Sequence, residues 1–248
     1  MIQIFGLRRI PLIKEGDDLA DFIIKAAKDE HVTIQNGDVL VVAQKIVSKA
    51  EGGTVHLKLV TPSPTAEDIA KESGKDPRHV ETILQQSKKI IRRKNGHLIV
   101  ETRHGFVCAN AGVDKSNVED SDSITVLPID ADLSARGIRE RIRKLTGVNV
   151  GVIISDTFGR AWRIGQVNVA IGVDGLRPVV DYRGQKDMFG YVLSVTQMAA
   201  ADELASAAEL VMGKSDGVPV AIVRGYEHVP GEGSAKELIR PEQDDLFR

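Results

Sequence analysis

Apolar runs of strand length recur along this 248-residue chain, but helical patterns separate them only irregularly. Val39 to Ala43 follows a Gly37-Asp38 turn as a short β-branched run, and Val148 to Ile154 follows Gly147. Further runs at Val167 to Val173, Pro178 to Tyr182 and Val218 to Val223 also read as strands. A regular strand-helix alternation would give a doubly wound parallel sheet; its absence points to an α+β architecture instead. The expectation is mixed sheets with flanking helices, two interleaved lobes within a single domain over residues 1–248, and no classical Rossmann or P-loop core.

Helices are legible between the strands. Asp17 and Asp18 precede Leu19, Phe22, Ile23, Ala26 and Ala27, an amphipathic spacing with acids at the positive end. Thr65 and Asp68 predict a capping box for a helix ending near Gly74, and Pro77 starts another running to about Gln86. Ser134 is expected to cap a helix containing Ile138, Ile142 and Leu145, stopped by Gly147. Met198, Ala201, Leu204, Ala205, Ala208, Val211 and Met212 describe one face of a helix ending at Gly213. From His97 to Val107 the pattern becomes a hairpin, with Leu98 to Val100 before a polar turn at Thr102 to Gly105.

Charge and cysteine content exclude several classes of function. The 33 basic and 35 acidic side chains nearly cancel, so no global field draws the chain onto nucleic acid or an anionic membrane. Any polyanion it handles is small and held locally. Cys108 is the only cysteine, which rules out an intrachain disulfide and fits a reducing cytoplasm. Ile2 to Leu7 is too brief for a signal-peptide core, and the longer apolar runs fall below the ~20 residues of a membrane span.

Three segments carry candidate chemistry. In Ser155-Asp156-Thr157-Phe158-Gly159-Arg160, a buried strand delivers a carboxylate and a hydroxyl to its carboxyl end, where open sheets place ligands. Asp156 and Thr157 are hard oxygen donors suited to Mg²⁺ or Mn²⁺, and Arg160 and Arg163 lie near enough in sequence to address phosphate. Asn110 to Asn117 offers a second carboxylate, Asp114, among small residues that admit close backbone approach. Lys45, with Ser48 and Lys49 after it, places a cation at the end of the Val39 to Ala43 strand. Each segment also has a plain structural reading, as a turn cap, an Asx-rich turn and a surface lysine respectively.

Two other signals are discounted. Gly213-Lys214-Ser215 copies the end of a P-loop, but Ala208 stands where the first glycine belongs and a helix precedes it where a strand is required. The basic run Lys88, Lys89, Arg92, Arg93, Lys94 lacks interleaved aromatics and reads as a solvated edge rather than an RNA surface. No HExxH pattern supports a zinc hydrolase, and no GxSxG elbow between a strand and a helix supports a serine nucleophile.

Taken in order, Gly6-Leu7, Ile10-Pro11-Leu12-Ile13, Gly16-Asp17-Asp18-Leu19, Gly37 to Lys45, Asn110-Ala111-Gly112-Val113-Asp114 and Ser155 to Arg160 resemble the coenzyme F420-0:L-glutamate ligase family. The likeness continues to Asp244 to Arg248; Asp130-Ala131-Asp132 departs from it, where a proline is expected between the acids. The resemblance implies a GTP-dependent amide ligase adding L-glutamate to coenzyme F420-0, then a further γ-linked glutamate, as a homodimer. It implies two divalent ions, Mn²⁺ or Mg²⁺, with K⁺ as a further candidate ion. Asp114 and Asp156 would hold one divalent ion, with Thr157 and Gln197 on the second. The nucleotide would lie along Ile10, Pro11, Leu12 and Ile13, Lys45, Asn117, and the helix start at Thr196, Gln197, Met198, Ala199, Ala200, Ala201 and Asp202. Lys45 and Arg160 would neutralise charge during phosphoryl transfer. Two rival readings stay open here, a metal-dependent nucleotide phosphohydrolase and a non-catalytic RNA-binding protein.

Overall fold

A computed structural model describes residues 1–115 and 122–246. Its centre is a five-stranded sheet in the order β1-β12-β2-β8-β9, built from β1 (Gln3–Leu7), β2 (Val39–Ala43), β8 (Gly151–Arg160), β9 (Arg163–Asp174) and β12 (Val220–Arg224). Only β2 and β8 pair in parallel, with Ala43 opposite Ser155; the other ladders are antiparallel. The mixed sheet and its helices make the α+β class expected from the irregular alternation.

The sheet is covered on both faces, which explains why its central strands read as continuous apolar runs. Leu40, Val42, Val152 and Ile154 point to one face, under α1 (Leu19–Asp29) and α5 (Ala131–Thr146). Val39, Val41, Ile153 and Val173 point to the other, under α6 (Ala200–Met212). At Gly172 the start of α5 approaches so closely that a Cβ would lie 2.3 Å from the Ala131 carbonyl oxygen. Asp132 Oδ1 accepts from Val173 N at 2.8 Å and fixes that approach.

A third apolar cluster, around Leu57, Ile83, Leu98, Val100 and Ile124, lies beneath α3 (Pro64–Ser73) and α4 (Pro77–Gln85). Two small ladders accompany it: β3 (Thr54–His56) with β7 (Ser123–Thr125), and β4 (Ser87–Lys94) with β5 (His97–Thr102) and β6 (Val107–Ala109). The hairpin expected over 97–107 is therefore β5 and β6, and the basic run is a further strand beside it. Lys88 and Lys89 lie 3.6 and 3.5 Å from Glu101, Lys89 lies 2.7 Å from Glu242, and Arg93 lies 3.5 Å from Glu72, an exposed edge largely answered by acids.

Two helix starts differ from the sequence reading. Ser63, not Thr65, caps α3, because Pro64 occupies the first helical position and Ser63 Oγ accepts from Ala66 N. Asp130, not Ser134, caps α5; Ser134 lies inside the helix and its hydroxyl donates back to the Asp130 carbonyl at 3.0 Å. Gly74 and Gly147 end their helices in the left-handed conformation as expected. Among the described residues no helix is long and apolar enough to cross a membrane.

Candidate functional site

Pairing directions decide where the candidate residues meet. Because β1 and β2 both run antiparallel to β12, and β8 runs parallel to β2, the carboxyl ends of β1, β2 and β8 share one edge. The loop carrying Ile10 to Ile13 leaves β1 there, Lys45 follows β2 there, and Asp156 and Thr157 continue β8 there. Ile13 is buried as a packing anchor, while Pro11 and Leu12 face solvent.

Lys45 lies in the first turn of α2 (Gln44–Ala50), a short helix without a side-chain cap. Its Nζ stands 2.7 Å from Asp114 Oδ2. Asp114 is placed by an antiparallel bridge to Thr125, with both backbone bonds made. Just before it, Asn110, Ala111 and Gly112 all adopt positive φ, at 53°, 56° and 70°. Two non-glycine residues in succession there mark stored backbone strain, which concentrates at functional positions. A Cβ on Gly112 would lie 2.7 Å from the Leu127 side chain, so glycine is also sterically required.

Asp156 is half-buried, and its carboxyl is pushed up to about 6. Loss of solvation is the main cause and the nearby Asp114 charge adds to it, while the Thr157 backbone N–H, Lys45 and Lys214 pull the other way. Thr157 Oγ1 donates to Asn168 Oδ1 at 2.8 Å across the β8-β9 pair. Around these residues, Gln44 Nε2, Ser155 Oγ and Asn110 Oδ1 are buried atoms with no hydrogen-bond partner among the described residues. Buried polar atoms left unsatisfied in a native fold call for a bound group or water.

This donor set fits a hard divalent cation. Two carboxylates in electrostatic contact, a hydroxyl and an unpaired amide oxygen are all oxygen ligands of the type Mg²⁺ and Mn²⁺ prefer. Among the described residues no group of three or more His, Cys, Asp or Glu side chains gathers, so neutral oxygens would complete the shell. Cys108 lies close enough for the Asp156 charge to act on its thiol, but burial pushes that thiol up to about 12, which removes it as a nucleophile.

The remaining candidates make other contacts in the structure. Arg160 lies four residues beyond Asp156, roughly 13 Å along an extended strand, where its guanidinium donates to the carbonyls of Ile164 and Gly165 at the hairpin tip. Gln197 lies on β11 (Gln197–Met198), paired with β10 (Val180–Asp181), and its Nε2 donates to Asp181 Oδ2 at 3.4 Å. Thr196 O accepts from Tyr182 N in the same ladder. Ala199 caps α6 without a side-chain bond, Ala200 and Ala201 are buried, and the Ala201 N–H is taken by the Pro178 carbonyl. Met198 is exposed, and Asp202 accepts from Ala170 N at 2.8 Å, its carboxyl raised by burial. Asn117 lies outside the described residues.

One residue at the site was set aside by the sequence reading. Lys214 Nζ donates to Thr157 Oγ1 at 2.6 Å and to Asn168 Oδ1 at 2.9 Å. The P-loop was rightly rejected, since Gly213 ends α6, but the lysine after it reaches the site. No local motif carries that information, because the contact joins positions 57 apart in the chain.

Comparison with known proteins shows the family of the chain. The chain is 49% identical over 250 residues to the coenzyme F420:L-glutamate ligase of Methanothermobacter thermautotrophicus, covering 100% of this chain and 99% of that protein. It is 44% identical to the enzymes of the same name from Methanocaldococcus jannaschii and Archaeoglobus fulgidus, over 100% of this chain and 97% and 96% of those proteins. The family model for F420-0:Gamma-glutamyl ligase matches residues 8–225, a span that takes in the strand ends and loops converging on Asp156, and the chain belongs to that family.

Proposed function

We propose that this chain joins L-glutamate to coenzyme F420-0 through an amide bond, consuming GTP, and that it can add a further glutamate through a γ-linkage. The observation that carries the reading is the meeting of Asp114, Asp156, Thr157 and Lys45 at one sheet edge, in a chain related along its whole length to F420:L-glutamate ligases. Direct condensation of a carboxylate with an amine is unfavourable in water, so the carboxylate must be activated. A carboxylate oxygen of the acceptor bonds to the γ-phosphorus of GTP while the bond to the bridging oxygen breaks, and GDP leaves with that electron pair. The glutamate nitrogen then bonds to the carbonyl carbon of the acyl phosphate, inorganic phosphate departs, and the amine proton passes to solvent.

Such transfers depend mainly on positioning and charge neutralisation. Asp114, Asp156 and Thr157 would hold divalent cations, Mn²⁺ or Mg²⁺, whose charge would neutralise phosphate oxygens. Asp156 provides the carboxylate, Lys45 holds Asp114 in place and offers its ammonium to phosphate, and the strained 110–112 turn fixes the approach. The nucleotide runs along Ile10 to Ile13 and Lys45, beside the same edge. K⁺ and the roles of Arg160, Asn117, Gln197 and the α6 start come from family resemblance alone.

The family resemblance also implies a homodimer, and an exposed apolar surface supports it. Trp162 and Ile164 at the β8-β9 tip, with Met188, Phe189, Tyr191 and Val195 in the following loop, present large side chains to solvent. Apolar surface of this kind marks an association site; here the partner is a second copy of the chain. Catalysis at Asp156 is tested by assaying Asp156→Ala for GTP consumption coupled to glutamate addition. The variant is expected to lose coupled turnover; full ligation by it would refute the assignment.

A further inference from the structure

We propose that Lys214 is a positioning residue that competes with a divalent cation for the Thr157 oxygen, holding that oxygen in the metal-free enzyme and yielding it when metal enters. The inference rests on the metal reading above. Its basis is the bonding of one hydroxyl. Thr157 Oγ1 directs its single proton to Asn168 Oδ1 and receives a bond from Lys214 Nζ at 2.6 Å. A hydroxyl has one proton and two lone pairs, so a single lone pair is left for any other ligand. An ammonium group can only donate, so Lys214 occupies the oxygen as a cation does.

The placement is built rather than incidental. Asn168 is buried, its side-chain oxygen accepts from both Thr157 and Lys214, and its backbone carbonyl accepts from Ser206 of α6 at 2.7 Å. Asp202 of α6 fixes the neighbouring Ala170 N–H. The helix is thus tied to β9 twice before Gly213 ends it. Gly213 ends the helix at φ +60°, in the left-handed region that L side chains rarely adopt, so the turn that releases Lys214 toward β8 favours glycine. Glu209 Oε1, 3.6 Å from Nζ, offers the ammonium a resting partner one helical turn back. A lysine left between these acceptors opposes a dication at the same oxygen by charge repulsion, and once displaced it is free to meet an anionic substrate group.

The test is Mn²⁺ binding to the purified full chain with no nucleotide, followed by calorimetry or by the paramagnetic signal of free Mn²⁺. Removing the ammonium in Lys214→Met is expected to tighten Mn²⁺ binding on the order of tenfold, from relief of a charge contact a few ångströms away. Lys214→Gln is expected to behave alike, and Lys214→Arg to stay near wild type. A structural role alone would loosen binding, not tighten it. Unchanged or weaker affinity in both neutral variants, with wild type binding normally, overturns the role of Lys214 and leaves the metal reading intact. No Mn²⁺ binding by wild type overturns the metal reading and this inference with it.

Discussion

Asp156→Asn should make the metal-free protein more stable at neutral pH while abolishing its chemistry. The wild-type carboxyl is raised to about 6 from an ordinary 3.8, chiefly because folding withdraws it from water beside Asp114. The folded state therefore holds a proton that the unfolded chain has already released over this interval. For an acid shifted upward, the penalty is fully present above the folded value and disappears as pH falls below the unfolded one. The shift corresponds to about 3 kcal/mol at pH 7.5 at most, taking 1.36 kcal/mol per unit. Asparagine approximates the neutral carboxyl and carries no such penalty. The assay is urea unfolding of both proteins with a chelator present, from pH 7.5 down to pH 4. The advantage of the variant should be about 2–3 kcal/mol at pH 7.5 and shrink to roughly 0.5 kcal/mol at pH 4, as linkage requires. A variant equal to or less stable than wild type at pH 7.5 would refute the reasoning, as would an advantage that does not change with pH.

Other outcomes follow from the same structure. Asp38 is 1% exposed at the start of β2, where Arg224 of β12 donates to both its carboxylate oxygens at 2.8 and 2.7 Å and Gln35 N donates at 2.8 Å. Asp38→Ala leaves that guanidinium without its counter-charge and should cost about 3 kcal/mol, read as a lower urea midpoint with unchanged slope. Replacing Trp162 with Ser and Ile164 with Asp together should convert a dimer to a monomer in sedimentation experiments without altering the far-ultraviolet spectrum. A dimer that survives this change places its interface elsewhere.

Much of the fold was readable because burial on both faces writes long apolar runs into the sequence. The run Val39 to Ala43 matches β2, and Leu19 begins α1 behind Asp18, which caps it. The features that escaped are those settled by tertiary contacts. The strand β4 carries its cations on an edge whose partners, Glu101 of the adjoining strand and Glu72 and Glu242 from other segments, lie outside its own run, so its pattern looked like a solvated charge run. The short helix α2 has no side-chain cap to announce it and forms where Lys45 turns toward Asp114. At the site, Asp114, Asp156 and Lys45 were legible because strand ends and small-residue turns have local signatures. Lys214 and Asn168 were not, since only the β8-β9 pairing and the end of α6 bring them to Thr157.

The most direct test of the central claim is mass spectrometry of the deazaflavin acceptor after incubation with the purified chain, GTP, Mn²⁺ and L-glutamate. The acceptor should gain one or more glutamyl residues, with none gained when GTP, metal or glutamate is left out. An unchanged acceptor with GTP hydrolysed at the same rate with or without glutamate would contradict the account and identify a phosphohydrolase instead.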